Sequence, residues 1–397
     1  MSEIIINESN KLIIDKHFSH LICDEYTESI FKGGQSQADE KLRNINIKGY
    51  SKKRNNVYPE TKRGSSYLSP YIRHGLLGLN EVWDAVVDFP HEDRTKFRDE
   101  LLWQEFSRHM YAIMGKKMKK MLNYSMKNNN KEIDTTEMNC IQTIQKELTD
   151  TGYMVNQTRM WYSSHHSFRA GENWTDYEDY MFKHLVDGSR FANRLGWQWV
   201  MGGQTGKLYG FAQSQVKNRA PNLCRDCKLQ YTCPIQTWPN ESKFEPVNQL
   251  MNFDIIEKFG PTKIIDSGTK PEIVWLTGES LGDDDAAMKA NPNLPVIFIF
   301  DEILLKKIKL SSKRIIFLLD TLRELSAKKE LSIFVDDPKI ILKNYKYSVT
   351  HACVPKYRNI TKSNHPEVEF PTSRLAEPID FYPKSYTSWK KKISLTV

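Results

Sequence analysis

No stretch of this sequence is apolar for long enough to cross a bilayer: the longest runs, such as Pro295–Phe300 and Ile315–Leu319, fall far short of the roughly 20 residues that a spanning helix needs. Met1 to Glu8 lack a basic segment followed by an apolar one, so no secretory signal or Arg-rich transit peptide is read there, and a cytoplasmic protein is expected. Phosphate-binding motifs are missing too. There is no P-loop, and neither Thr277-Gly278 nor Gly202-Gly203 completes a dinucleotide-binding glycine pattern after a strand. His91-Glu92 lacks the second histidine of a zinc protease, and His165-His166 has no partner at ligand spacing. Cysteine is scarce, with 6 in 397 residues, which argues against a disulfide framework; three are bunched as Cys224, Cys227 and Cys233, which reads as a metal or cluster site. No internal repeat occurs.

What is present is a globular balance. Hydrophobic residues at 39% and charged residues at 27% exclude a membrane bundle and a disordered acidic tail, and the length allows two or three domains. The net charge of +8 is compatible with a polyanionic partner and is only a weak hint of one. The fold class is α and α/β. Residues 1–29 are an N-terminal extension; residues 30–240 carry helical apolar spacing, as in Leu101, Leu102, Phe106 and Met110 or Tyr180, Met181, His184 and Leu185, and predict an all-helical domain. A linker over 241–270, with a short helix around Val247 to Phe259, leads to a domain over 271–397. There the short β-prone runs Glu272–Leu276, Pro295–Phe300 and Leu331–Val335 alternate with helix signals, which predicts a parallel, Rossmann-like sheet. Asp283 is expected to cap a helix over 284–290, Ser311 a helix carrying Ile315, Leu318, Leu322 and Leu325, and Asp337-Pro338 has cap and first-turn chemistry. The basic stretch Lys116, Lys117, Lys119, Lys120, Lys127 and Lys131 is read as a solvated helix and loop in preference to a phosphate-facing patch.

Longer phrases say more. Gly33-Gly34-Gln35 through Tyr50 and Arg54, then Ser65 to Tyr71, Glu100 to Phe106, Asn156 to Met160, and Asp187 to Trp199 occur in an order that resembles the FAD-binding helical domain of the photolyase/cryptochrome family, over about residues 30 to 215. Ile273 to Leu276, Asp283 to Ala290, Val296 to Asp301, Ser311 to Leu325 and Asp337-Pro338 resemble that family's α/β antenna domain, which normally comes first. Here it follows the flavin domain, and Phe381 to Trp389 looks like the stretch that usually leads out of it, so a circular permutation is expected. Thr277 to Leu281 replaces the family's usual basic phrase and Val335 to Asp337 lacks its usual glycine, which leaves an antenna chromophore of unassigned identity as an open expectation.

The cysteines fit the same frame. By spacing alone, a four-thiolate zinc site and unligated thiols stand beside a cluster. Cys140, opening the helix before Gly152-Tyr153, with Cys224, Cys227 and Cys233-Pro234, resembles the family's iron–sulfur branch, which implies a structural [4Fe–4S] cluster on these four thiolates.

The resemblance also implies roles. Tyr50, Ser65, Ser66, Tyr67, Leu68 and Ser69 would cradle the FAD diphosphate and ribityl chain, although Ser65 and Ser66 read ordinarily as helix caps. Arg159 would pair with Asp187 and support an anionic reduced flavin, and Asn193 would face flavin N5. Gln104 stands where Arg is common and Ser189 where Asp is common. Glu100, Trp103, Asn156 and Met160 match the lesion-facing wall of the branch acting on cyclobutane pyrimidine dimers, and Val155-Asn156 stands where the iron–sulfur branch often has two histidines, which points away from the pyrimidine–pyrimidone photoproduct. Trp197 and Trp174 match the first two members of the chain that photoreduces oxidised flavin; Tyr111, Tyr124, Trp161 and Tyr162 are candidates for a third.

The function these implications favour is light-dependent repair of UV-damaged DNA by electron transfer from photoexcited reduced FAD, by a deoxyribodipyrimidine photo-lyase acting as a monomer away from membranes. A cryptochrome-like photoreceptor without repair activity is the alternative, and a flavin-binding nucleic-acid protein without photochemistry is a third class.

Overall fold

The computed structural model describes residues 2–126, 137–236, 244–247 and 259–397. Nine strands occur among them: β1 (Ser2–Glu3), β2 (Tyr124–Met126), β3 (Phe244–Pro246), β4 (Ile265–Asp266), β5 (Ile273–Leu276), β6 (Val296–Asp301), β7 (Leu331–Asp336), β8 (Tyr347–Thr350) and β9 (Val368–Phe370). Seven of them form one sheet in the order β1-β7-β6-β5-β8-β9-β4. Its inner pairs are all parallel, and only the two edge strands, β1 on β7 and β4 on β9, run antiparallel. β2 and β3 make a separate antiparallel pair.

The parallel strands read as continuous apolar runs because both faces are covered. Alternate residues point to opposite sides. Ile273, Trp275, Ile297, Ile299 and Val349 pack under Ile341, Leu342 and Ile360 of the helices Pro338–Leu342 and Pro355–Ser363. Val274, Leu276, Val296, Phe298 and Phe300 face the other way and join a core continuous with the helical half of the chain. Ser311 caps the helix Ser312–Ser326 through a bond from the Arg314 amide, and Asp337 with Pro338 opens the next one, as expected. The cap at residue 285 corrects the expectation: the helix is Ala286–Ala290, Asp285 accepts from the Met288 amide at 2.8 Å, and Asp283 instead holds Lys328 at 2.8 Å.

The helical half is built on His91–Met114, Asn139–Thr151, Asn156–Ser164, Trp174–His184 and Arg190–Val200. It locks onto the sheet at several points. Gly33 lies so close to the helix Ser312–Ser326 that a Cβ there would stand 2.0 Å from the Phe317 carbonyl oxygen, and Gly34 (φ 114°) donates its amide to Thr321 Oγ1 at 3.0 Å. That phrase is therefore a packing device. Arg73 pairs with Glu279, His74 bonds the Gly278 carbonyl at 3.0 Å, and the Ser311 amide donates to the Lys183 carbonyl at 2.8 Å. The first residues belong to the sheet as well: besides β1, Arg323 of the Ser312–Ser326 helix grips the carbonyls of Ile6 and Glu8 at 3.1 Å each. Most of the expected linker helix, and Lys127 and Lys131 of the basic stretch, lie outside the described residues. No helix among the described residues is long and apolar enough to cross a membrane.

The closing phrase returns to the helical half. Trp389 is fully buried and donates its indole N–H to His109 Nδ1 at 3.0 Å, while Tyr386 and Lys390 both hold Asp99, at 2.5 and 2.6 Å. Burial works against the Asp99 carboxylate, but those two donors outweigh it and hold the group below its usual range. A depressed folded-state value means that the stabilisation is complete above about pH 4 and is lost as pH falls through the folded value. Acidification is therefore expected to loosen residues 381–392. Asp99→Asn, costing about 1 kcal/mol, should reproduce that loosening at neutral pH, read as faster proteolytic nicking of this segment.

Candidate active site

One cavity is walled by side chains from several helices of this half. From His91–Met114 come Phe97, Glu100, Leu101, Trp103 and Gln104, from Asn156–Ser164 come Asn156, Arg159, Met160 and Ser163, and from Arg190–Val200 come Asn193, Trp197 and Val200. The spacings are three, four and seven, so each helix turns one face inward. Gly196 shares the last of these faces, and a Cβ built there would meet nothing within 4 Å. The rim is completed by Tyr50, Arg54, Ser65, Ser66 and Ser69.

The electrostatic centre is the pair Arg159–Asp187, with Nη2 to Oδ2 at 2.7 Å. Arg159 also donates Nε to the Met154 carbonyl at 2.8 Å and lies over the Tyr153 ring at 5.6 Å. Burial alone would lower the Arg159 guanidinium; Asp187, then Tyr153, carry it above its ordinary value, so it stays charged. Three buried polar atoms on the wall have no hydrogen-bond partner among the described residues: Asp187 Oδ1, Asn193 Nδ2 and Trp197 Nε1. Asn193 is oriented, since its side-chain carbonyl accepts from the Ser189 amide at 2.9 Å, which leaves its NH2 for the cavity. Buried donors and acceptors are nearly always satisfied, so an acceptor and two donors left open on one wall mark the place of a polar ligand.

Glu100 stands on the wall beside two cations, 3.4 Å from Arg54 Nε and 3.3 Å from Lys96 Nζ. Trp103 packs its ring on Phe106 and Tyr386 at 5.5 and 5.3 Å, which fixes its exposed face toward the cavity. Asn156 is exposed at the mouth, with Met160 one turn further in.

Three of the expected cofactor-binding residues do not line this cavity. Tyr67 adopts a left-handed backbone (φ 57°) and turns its ring onto Tyr153 at 5.2 Å; Leu68 beside it is buried in the core. Ser189 caps the helix Arg190–Val200, accepting from the Ala192 amide at 3.3 Å. Trp174 lies behind the wall, 6.2 Å from Trp197 between ring centroids. Neither Ser65 nor Ser66 caps a helix: Ser65 Oγ bonds the Tyr153 hydroxyl at 2.8 Å, and the next helix, Ser69–Arg73, has Leu68 at its cap position. Among the candidates for a third redox aromatic, Tyr162 is placed on Trp197 at 6.1 Å, whereas Trp161 stacks on Phe211 and donates to Gln215. Tyr153 and Ser163 are wall residues that sequence reading passed over; Ser163 lies seven residues beyond Asn156 and four beyond Arg159, the spacing that would have revealed it.

The four cysteines converge at the far end of Asn139–Thr151. Cys140 is buried in its first turn, Cys224 is buried in Pro221–Arg225, and Asn139 Nδ2 bonds the Asp226 carbonyl at 2.8 Å. Burial first, and then the neighbouring Cys224, Cys233 and Cys227, push the Cys140 thiol up to about 12. Among the described residues no three of these sulfurs lie within 4.8 Å of one another, wider than the roughly 3.8 Å edge of a tetrahedral zinc–thiolate site. Three other ligand atoms do lie that close, from Cys23, Asp24 and His184, but Asp24 is already held by the Ser312 amide and Lys313.

The cavity wall lies in the helical half of the chain, which shares a core with one face of the parallel sheet. Residues 97–220 match the family model described as the FAD binding domain of DNA photolyase. The chain is 29% identical over 171 residues to a deoxyribodipyrimidine photo-lyase of Synechococcus, covering 38% of this chain and 35% of that protein. It is 27% identical over 154 residues to the protein of the same name from Vibrio cholerae, covering 35% and 33%. A putative mitochondrial cryptochrome DASH of Neurospora crassa is 22% identical over 230 residues, covering 43% and 30%. The chain thus spans about a third of the length of these curated relatives. Among solved structures, a class III photolyase from Agrobacterium tumefaciens superposes with a TM-score of 0.42 at 22% identity, covering 49% of this chain and 45% of that one. A Synechocystis cryptochrome gives a TM-score of 0.43 at 22% identity, with 50% and 46% covered.

Proposed function

We propose that the protein is a light-dependent DNA repair flavoprotein that splits cyclobutane pyrimidine dimers. What carries the reading is one juxtaposition: the open polar atoms of Asp187 and Asn193 share a cavity with Glu100, Trp103, Asn156 and Met160. Bound reduced FAD would supply the electron that, on absorption of blue light, opens the cyclobutane ring and then returns. The residues contribute placement and charge. Asn193, locked by the Ser189 amide, presents a neutral NH2 to the flavin edge, and Arg159 keeps a positive charge beside it. Ser65, Ser66 and Ser69 offer hydroxyls to the diphosphate, with Arg54 as the nearby cation. Glu100 can accept a hydrogen bond from the flipped base edge, and Trp103 offers a stacking face.

The test is a dimer-containing oligonucleotide under blue light with pre-reduced protein, followed at the thymine absorbance. Recovery supports the proposal; normal flavin photoreduction with no recovery moves the reading to a photoreceptor. Glu100→Ala removes a hydrogen bond to a charged group, about 1.5–3 kcal/mol, and should slow repair about tenfold to a hundredfold while FAD stays bound.

The same reading places a [4Fe–4S] cluster on Cys140, Cys224, Cys227 and Cys233, where it would pin the segment around Pro221–Arg225 to a helix distant in sequence. Anaerobically purified protein should contain iron and acid-labile sulfide and should lose both in Cys140→Ser; colourless protein carrying zinc would reject the cluster. The order of the two parts, with the matched stretch before the parallel sheet, is what a circular permutation of the family's arrangement would leave.

A further inference from the structure

Behind Trp197 the wall continues into a second set of aromatic side chains that the repair reaction does not use. The Tyr162 ring stands 6.1 Å from Trp197 and 6.4 Å from Tyr177, and His166 fills the angle, 4.3 Å from Tyr162 and stacked on Tyr177 at 3.8 Å with ring planes 13° apart. Tyr177 is the member with a proton acceptor. Its hydroxyl donates to Glu172 Oε1 at 2.7 Å, and the other carboxylate oxygen, Oε2, is 2.6 Å from His166 Nδ1.

Local backbone geometry builds this triad. The helix Asn156–Ser164 widens into a π-turn over His165–Arg169, a form concentrated at functional sites. Gly171, at φ 66°, then reverses the chain, so that the Glu172 amide bonds the His166 carbonyl at 2.9 Å and its side chain falls between His166 and Tyr177. Burial and then Glu172 push the Tyr177 phenol up to about 12, so at neutral pH it holds its proton until it is oxidised. The carboxylate faces solvent on one side, which gives the proton an exit. Trp174, the other neighbour of Trp197, makes no further ring contact among the described residues.

We infer that Tyr177 is the terminal electron donor when the oxidised flavin of this protein is photoreduced, with Glu172 as its proton acceptor and Tyr162 as the bridge from Trp197. The inference rests on the photoactive-flavin reading above. Light takes one electron from Trp197 to the isoalloxazine. One electron then passes from Tyr177 to the Trp197 radical cation while the phenolic proton moves to the Glu172 carboxylate, leaving neutral Trp197, a neutral tyrosyl radical and a carboxylic acid. A phenoxyl radical that has lost its proton cannot return the electron until it regains one, so the charge separation outlasts one that ends on tryptophan. Tyr177 touches neither flavin nor DNA; its part is to hold the reduced state after light absorption.

The test is electron paramagnetic resonance and transient absorption of illuminated FAD-loaded protein. A tyrosyl radical that narrows with ring-deuterated tyrosine is expected, absent in Tyr177→Phe and present in Tyr180→Phe. Glu172→Gln should keep bound FAD yet lose the tyrosyl signal, and in the unaltered protein the appearance of that signal should be slower in D2O. Tyr177→Phe keeps the ring that stacks on His166, and FAD content reports whether either variant folds. A tryptophan radical in the unaltered protein whose lifetime is the same in Tyr177→Phe overturns the inference and leaves the flavin reading standing. Bound flavin that forms no radical pair under light overturns both.

Discussion

Asp187→Ala is expected to lower stability by about 3 kcal/mol, the lower end of the range for breaking a buried ion pair from one side, and to release FAD. The variant leaves the Arg159 guanidinium, whose side chain is 21% exposed, with a backbone carbonyl and an aromatic face in place of a carboxylate at 2.7 Å. It also removes Asp187 Oδ1, the one buried acceptor on the wall that has no partner among the described residues. A double variant, Asp187→Ala with Arg159→Met, should recover most of the stability, because no uncompensated charge remains. It should not recover FAD binding. Urea midpoints and flavin content of the three proteins separate these effects; equal stability loss in the single and double variants would show that the pair matters through packing and not through charge.

Trp197→Phe is expected to slow light-driven reduction of oxidised flavin at least about tenfold, equivalent to about 1.4 kcal/mol on the barrier, while repair by chemically pre-reduced protein stays near its starting rate. Trp197 is the cavity-lining ring from which both Trp174 and Tyr162 are reached, at 6.2 and 6.1 Å. Phenylalanine keeps an aromatic ring in the packing but is far harder to oxidise than indole. Trp197 Nε1 makes no protein hydrogen bond among the described residues, so the substitution breaks none of those. Equal loss of photoreduction and repair would show that Trp197 mainly holds the fold.

The parallel sheet was legible in the sequence because a strand buried on both faces must be apolar throughout, and β5, β6 and β7 are bounded by cap signals at Ser311 and Asp337. The edge strands β1 and β4 are two residues each and carry no pattern of their own. Three consecutive aspartates, Asp283 to Asp285, offer identical cap chemistry, and only the loop geometry decides that Asp285 takes the role. In the site, the family resemblance singled out Glu100, Trp103, Gln104, Asn193 and Trp197, and all five line the cavity. That resemblance could not foresee that Tyr67 sits in a left-handed turn with its ring on Tyr153, or that Ser189 spends its hydroxyl on a helix cap. The His166, Glu172 and Tyr177 group was hidden for a related reason: a π-turn and a glycine at positive φ break the 3.6-residue period that sequence reading relies on.

The central claim is that flavin sits in the cavity walled by Asn193, Arg159 and Asp187. Its most direct measurement is the flavin content of the purified protein, released by denaturation and identified chromatographically, together with the same analysis of Asn193→Leu after loading with FAD. Stoichiometric FAD in the unaltered protein, and weakened retention in a variant whose fold is intact by circular dichroism, is the predicted result. Protein that neither carries nor takes up FAD, or an Asn193→Leu variant that retains it unchanged, would contradict the account.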